Sequence, residues 1–304
     1  MISVVGEALV DLVITPDGNV DARLGGAPFN TARACGRLGA AVRFVGALSH
    51  DRFGSMLVSR LADDHVDTSA VVRVELPTTL AAAELDEDGT ATYRFYIDGT
   101  SAPDLRVIEP ASVDGRMIFS GGLGLVLEPM AGAVETAIMA SGADQLVMVD
   151  VNCRANVIAD RATYVDRIAR VIRRADVVKV SDEDLAFLSP GADPLVAAGA
   201  LLEAGPSAVL VTRGGDGVHV LAAGTHTVAE VGAAEVVDTI GAGDSFGAGF
   251  LSWWAAAGAG RHDVADTDRL VAAVHAANQV AGIVVTRRGA DPPWRRELPD
   301  DWSP

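Results

Sequence analysis

Near its carboxyl end the chain reads DTIGAGDSFGAGF, from Asp238 to Phe250. Two carboxylates, Asp238 and Asp244, bracket a turn of small residues, Gly241, Ala242 and Gly243, and an apolar face at helical spacing follows through Phe246, Phe250, Trp253, Trp254 and Ala257. Small residues let a backbone approach an anion, and the unpaired N–H groups and macrodipole of a helix start attract one. A carboxylate in that position has two readings. It is an acid of the helix start, or it is a general base that takes the proton of a hydroxyl while the turn amides hold a phosphoryl group. Asp238 would orient the turn or bind a cation, or simply accept a hydrogen bond at a strand end.

Other phosphate sites are excluded by residue type. Lys179 is the sole lysine and follows Val178, so the Gly-Lys-Ser/Thr of a P-loop is missing. Phe246 stands where the dinucleotide fingerprint needs its third glycine. The balance of 24 basic and 41 acidic residues, net −17, offers no basic stripe for nucleic acid and repels an anionic membrane surface. The two cysteines, Cys35 and Cys153, have no ligand-spaced partners, and the six histidines show no metal-site spacing. The amino terminus lacks a basic leader, and no long apolar run reads as a span, so the cytoplasm is the expected location.

The elements that must carry the turn alternate. Apolar runs at Ile2–Leu9, Val42–Leu48, Met117–Ser120, Gln145–Asp150, Val177–Val180 and Ala208–Thr212 read as strands buried on both faces. Helical spacing appears at Pro28–Leu38, Phe53–Ala62, Pro129–Ala140, Tyr164–Arg173 and Pro194–Glu203. This alternation predicts an α/β fold on a largely parallel sheet. Two segments interrupt it. Asp11–Leu24 turns at Pro-Asp-Gly, and Thr78–Ile97 reads as a hairpin divided at Asp86-Glu87-Asp88-Gly89. They predict a small β-layer over the core, serving as a lid or as an edge extension of the main sheet.

With these residues in view the chain resembles the ribokinase-like carbohydrate kinases, the phosphofructokinase-B family. DTIGAGDSFGAGF is similar to that family's C-terminal signature and GGAPFNTARACGRLGA, from Gly25 to Ala40, to its N-terminal one. GEALVDL, DVNCRANV and the run from Pro77 to Ala102 resemble the fructokinase and 2-keto-3-deoxygluconate kinase branch. The resemblance implies a three-layer αβα sandwich with a β-lid. The core would be residues 1–10, 25–76 and 101–304, and the lid residues 11–24 and 77–100. It also implies ATP with Mg²⁺ as donor, a sugar hydroxyl as acceptor, and in some members a homodimer contact through the lid.

Residue by residue, the resemblance makes Asp244 the base and Gly241, Ala242 and Gly243 the anion hole. Asp11, Gly25, Gly26 and Asn30 fall on the sugar side. Carboxylates and carboxamides suit vicinal hydroxyls, which both donate and accept. The glycine pair is otherwise a plain turn. Arg154, past the Gln145–Asp150 strand, approaches phosphates or an acidic sugar, or forms a surface ion pair. Tyr93, Arg94, Tyr96 and Asp98 lie in or beside the lid and would choose the acceptor, with Tyr96 as a sugar contact. Ser181 and Asp184 replace the family's Asn and Glu near the phosphates, so Asp184 would hold Mg²⁺ through water. Thr212, Gly214 and Gly217 would contact ATP, and Asn278 borders the adenine or is a solvated helix residue. Asp238, Ile240, Val284 and Gly289 would belong to the K⁺ loop that the resemblance implies, whose ligands would be mainly carbonyls.

The acceptor that this reading favours is fructose. 2-Keto-3-deoxygluconate, ribose or a nucleoside are alternatives within the family, and a non-catalytic sugar- or nucleotide-binding regulator is the alternative outside it.

Overall fold

The computed structural model describes residues 1–87, 91–222 and 224–303. Its strands are β1 (Ile2–Val5), β2 (Leu9–Ile14), β3 (Val20–Gly25), β4 (Val42–Val45), β5 (Ala47–Ser49), β6 (Val72–Val74), β7 (Leu80–Leu85), β8 (Ala91–Tyr96), β9 (Met117–Gly121), β10 (Leu146–Asp150), β11 (Val177–Ser181), β12 (Ala208–Thr212), β13 (Val218–Ala222) and β14 (Thr225–Ala229). Its α-helices are α1 (Ala27–Arg37), α2 (Arg52–Asp63), α3 (Met130–Met139), α4 (Arg161–Arg174), α5 (Asp182–Leu188), α6 (Pro194–Glu203), α7 (Ala242–Ala256) and α8 (Thr267–Val284).

The main sheet has eight strands in the order β14-β13-β12-β11-β10-β9-β1-β4. It is parallel from β4 to β12, and β13 and β14 extend it antiparallel. Successive residues of a strand face opposite sides, and both sides are apolar here. Val4, Phe119 and Met148 pack with Phe29 of α1, Leu57 of α2, Phe250 of α7 and Leu270 of α8. Val5, Ile118 and Val149 pack with Met130 of α3, Ile168 of α4 and Leu185 of α5. Each such buried aliphatic side chain stabilises the fold by about 1.5–3 kcal/mol. The α/β fold on a largely parallel sheet expected from the alternation, and the sandwich implied by the resemblance, are the architecture observed.

Two expected strands are each broken in two. Ile2–Leu9 ends as a strand at Val5, because Gly6 has φ +146° and a Cβ there would meet Pro28 Cγ at 2.6 Å. The chain leaves the main sheet and enters the small one at Leu9. Val42–Leu48 breaks at Gly46, where a Cβ would lie 2.6 Å from the Gly6 carbonyl, and β5 then pairs with β6 in a separate two-stranded piece. A continuous apolar run does not distinguish one strand from two that bend.

The second sheet has four strands in the order β3-β2-β7-β8. It joins the two segments that interrupt the alternation: the hairpins β2/β3 and β7/β8 are antiparallel, and β2 pairs with β7 in parallel. It takes in Leu9, Val10 and Gly25, outside the expected segment 11–24. Asp88 and Gly89, at the tip of the expected hairpin, lie outside the described residues. No helix among the described residues is long and apolar enough to cross a membrane.

Candidate active site

Asp244 lies in the first turn of α7, whose N-cap is Gly241 in the left-handed region at φ +77°. Glycine is required there twice over, since a Cβ on Gly241 would also meet the Cβ of Ala290 at 2.5 Å. The Ala242 N–H donates to the Thr239 carbonyl at 3.2 Å, so the free anion-binding amides of the expected trio are chiefly those flanking it. Asp244 is 9% exposed, and Asn30 Nδ2 of α1 donates to its carboxylate Oδ2 at 2.9 Å. Burial pushes its pKa up to about 6, while the Asn30 hydrogen bond pulls it down. A carboxylate of that strength beside helix-start amides can take a proton from a hydroxyl near neutral pH.

A cleft of about 530 Å³ opens on one side of this turn. Asp11, Gly25, Gly26 and Asn30, the residues expected on the sugar side, all line it, and so does Arg154. Asp11 lies inside β2, where the small sheet carries it over the cleft. Its carboxylate lies so close to Gly25 that a Cβ there would be 2.2 Å from Oδ2. Burial lifts its pKa to about 6, opposed by the guanidiniums of Arg154 and Arg23.

Tyr96 does not reach the cleft. Tyr93 and Phe95 line it, and Tyr96, one residue on, falls on the other face of β8 and is 52% exposed. Arg94 shares that outer face by the same alternation, and neither it nor Asp98 lines the cleft.

A second groove, of about 1170 Å³, opens on the other side of the turn. Thr212, Gly214, Gly217 and Asn278 line it, and Asn278 Nδ2 donates to the Glu230 carbonyl at 3.2 Å. Thr239 and Gly243 border both cavities, so the two meet at the turn that carries Asp244.

Ser181 and Asp184 border neither cavity. They form the capping box of α5: the Asp184 N–H donates to Ser181 Oγ, and Asp184 Oδ2 accepts from the Ser181 N–H at 2.8 Å. Asp184 Oδ1 accepts from the Cys153 N–H at 2.6 Å. Oδ1 thus holds the 150–154 segment to α5, and Oδ2 closes the cap on Ser181. Asp238 ties its own loop together, accepting from the Ile240 N–H at 3.0 Å and the Gly289 N–H at 2.8 Å. The Val284 carbonyl accepts from the Arg287 N–H at 2.9 Å.

Three side chains of the cleft escape a reading of the sequence. Lys179, which there serves only to exclude a P-loop, is 5% exposed, and its Nζ donates to Asp150 Oδ2 at 2.9 Å. A Cβ on Gly243 would lie 3.2 Å from that ammonium, so the only lysine sits directly beneath the 241–243 turn. Burial works against its charge, but Asp150, with Asp184 and Asp244 beyond it, outweighs burial and holds the pKa above the usual value. Asp150 Oδ1 is buried without a hydrogen-bond partner among the described residues. Glu7 is 2% exposed and lines the same cleft. Burial pushes its carboxyl up to about 8, against the pull of backbone amides and with Asp244 adding to the rise. The one available signal was a charged residue inside, or directly following, an apolar strand run, which needs a buried partner.

Two cavities that meet at a carboxylate and a helix start, on the carboxyl side of a parallel sheet, define a phosphotransferase of the αβα class. The chain matches the model of the pfkB family carbohydrate kinases over residues 1–296, and it belongs to that family. It is accordingly an ATP-dependent sugar kinase. A fructokinase of Rhizobium leguminosarum bv. trifolii is 32% identical over 262 residues, covering 83% of this chain and 79% of the relative. Among solved structures, a fructokinase of Xylella fastidiosa with bound ATP superposes with a TM-score of 0.88 at 29% identity, covering 95% of this chain and 93% of that one. A double mutant of a Vibrio cholerae O395 fructokinase, in a form with fructose, ADP and a potassium ion bound, superposes at 0.81 with 25% identity, covering 95% and 93%.

Proposed function

We propose that this sugar kinase is a fructokinase and that Asp244 is its general base. The observation that carries the reading is the meeting of the two cavities at Thr239–Gly243, with Asp244 buried beside the junction and held by Asn30. The sugar lies in the smaller cleft against Asp11 and Asn30, and ATP lies in the larger groove along Thr212 and Gly214. As the sugar oxygen bonds to the γ-phosphorus, the bond from that phosphorus to the bridging oxygen breaks, ADP leaves, and the hydroxyl proton passes to Asp244. The turn amides and the Lys179 ammonium lie where negative charge gathers on the transferring group. The small sheet acts as a lid that keeps water, a competing acceptor, away from the phosphoryl group.

A divalent cation, magnesium in this reading, neutralises phosphate charge when bound. The residues fit it at Asp150, whose Oδ1 is unpartnered, rather than at Asp184, whose oxygens are engaged. Potassium would rest on carbonyls of the loop that Asp238 closes onto Gly289. The potassium-bound Vibrio cholerae relative supports that choice. A homodimer would use the outer face of the small sheet, where Val20 and Tyr96 are exposed. The cytoplasm, where ATP is made available, is the matching location.

The test is ADP release with fructose, 2-keto-3-deoxygluconate, ribose and nucleosides as acceptors, in K⁺ and in Na⁺ at equal ionic strength. Fructose is expected to give the highest kcat/KM, and K⁺ the higher rate. A higher value for 2-keto-3-deoxygluconate would reassign the acceptor and make Arg154 the partner of its carboxylate. Ligand binding with no ADP release for any acceptor would favour a regulator, and equal rates in the two salts would remove the potassium site.

The same assay has a defined pH dependence. The base works only when ionised, so kcat/KM should rise with pH along a limb whose midpoint lies near 6, following Asp244 and Asp11. A free aspartate would put that limb near about 4. A profile flat down to pH 5 would count against Asp244.

A further inference from the structure

Glu7 stands at the joint between the two sheets. Residues 6–8 carry the chain from β1 of the main sheet to β2 of the small one, and Gly26 carries it back from β3 to α1. The Glu7 side chain holds this crossing from both sides. Oε1 accepts from the Ala27 N–H at 3.1 Å, and Oε2 accepts from the Gly124 N–H at 2.8 Å, in the 3₁₀ turn Gly122–Leu125 that follows β9. The first of these replaces a missing helix cap. Gly26 has φ +108°, and a Cβ there would meet the Glu7 carbonyl at 2.8 Å, so the N-cap of α1 is a residue without a side chain and makes no side-chain cap. An amide at that helix start is otherwise unsatisfied, and the Glu7 carboxyl oxygen supplies its acceptor. The surroundings are closed around it, since a Cβ on Gly122 would lie 3.0 Å from Oε1.

What α1 carries gives this cap a consequence. Asn30, three residues beyond Ala27, donates to the Asp244 carboxylate, and Thr31 Oγ1 donates to the Asp244 carbonyl at 3.3 Å. We propose that Glu7 is a positioning residue, a buried clasp that locks the start of α1 to the 122–125 turn and so sets Asn30, and through it Asp244, for phosphoryl transfer. The inference rests on the reading of Asp244 as the base.

The test is a double-mutant cycle between Glu7→Gln and Asn30→Ala, read as kcat/KM for fructose alongside the melting temperature. Glutamine keeps the size of the side chain but turns an NH₂ toward one of the two amides. Expected is a loss of about tenfold or more in the wild-type background, in keeping with the sensitivity of such reactions to small displacements. In the Asn30→Ala background, where the contact with the Asp244 carboxylate is already cut, the loss should be under about twofold. An equal loss in both backgrounds, or a lowered melting temperature with unchanged kcat/KM, would overturn the proposal. If Glu7→Gln does not accumulate folded, Glu7→Asp enters the same cycle, because its shorter arm reaches only one amide. Failure of the base reading is separately visible: it would appear as wild-type turnover in Asp244→Asn, whereas this proposal fails alone when Asp244→Asn is inactive and the cycle shows no coupling.

Discussion

Asp244→Asn is expected to fold like the parent and to lose roughly 10²–10⁴-fold in kcat, the range over which a positioned base contributes. The substitution keeps shape and can keep the contact with Asn30, since the new carboxamide oxygen can still accept from Asn30 Nδ2. It removes the ability to hold the acceptor's proton. Stability at neutral pH should be unchanged or higher. The folded-state pKa of Asp244 is raised to about 6, so the ionised carboxylate disfavours folding above that pH, and the neutral carboxamide relieves it. At pH 4, where the folded parent is already protonated, that gain should vanish. ADP release measures the first effect, and thermal melts at the two pH values measure the second. Wild-type kcat in the variant would sink the assignment.

The largest expected effect on stability lies away from the reaction. Asp64 is 2% exposed and accepts from Arg33 Nε at 2.6 Å and from Arg37 Nε at 2.7 Å. Both guanidiniums are themselves buried in α1. Asp64→Ala leaves two cations without their shared partner, a change that costs about 3–5 kcal/mol when a buried pair is broken. The melting temperature should fall by on the order of 10 °C. Replacing all three residues by apolar ones of similar size should recover much of it, because the penalty comes from the stranded charge. Activity should suffer beyond the loss of folded protein. Arg33 Nη1 donates to the Ala290 carbonyl at 3.2 Å, and Arg37 Nη1 donates to Asp291 and to the Pro292 carbonyl at 2.7 Å each. Ala290 is the residue against which Gly241 packs. The ion cluster therefore holds the segment that backs the 241–243 turn, and the folded fraction of Asp64→Ala should show a raised KM for ATP. Differential scanning calorimetry with steady-state kinetics separates the two effects. A melting temperature within a degree or two of the parent would show that the cluster is not needed.

Much of the site is visible in local pattern. Small residues at 241–243, a carboxylate at 244 and an apolar helical face beyond them describe a helix start open to an anion, whatever the rest of the chain does. The run of strands and helices has the same local origin, because the periods of two and 3.6 residues are properties of the backbone. The absence of a lysine after glycine excludes a P-loop without any structure. Asp11, Asn30 and Arg154 reach one cleft because each lies at or just beyond an element that the pattern already locates.

What only the tertiary structure decided depends on partners far apart in the chain. Asn30 meets Asp244 across 214 positions. Tyr93, not Tyr96, faces the cleft because β8 pairs with β7 in the register that sets Tyr93 opposite Ala83, and a shift of one residue would exchange the faces. Asp184 caps its own helix through Ser181, three residues away, but its other oxygen is claimed by the amide of Cys153, 31 positions away. Lys179 and Glu7 become members of the site only when Asp150 and the start of α1 close around them. Residue types and spacings determined the chemistry available at the DTIGAGDSFGAGF turn. Which carboxylates stay free for it and which are tied to backbone amides was decided by packing, since a buried charge takes the nearest partner the fold supplies.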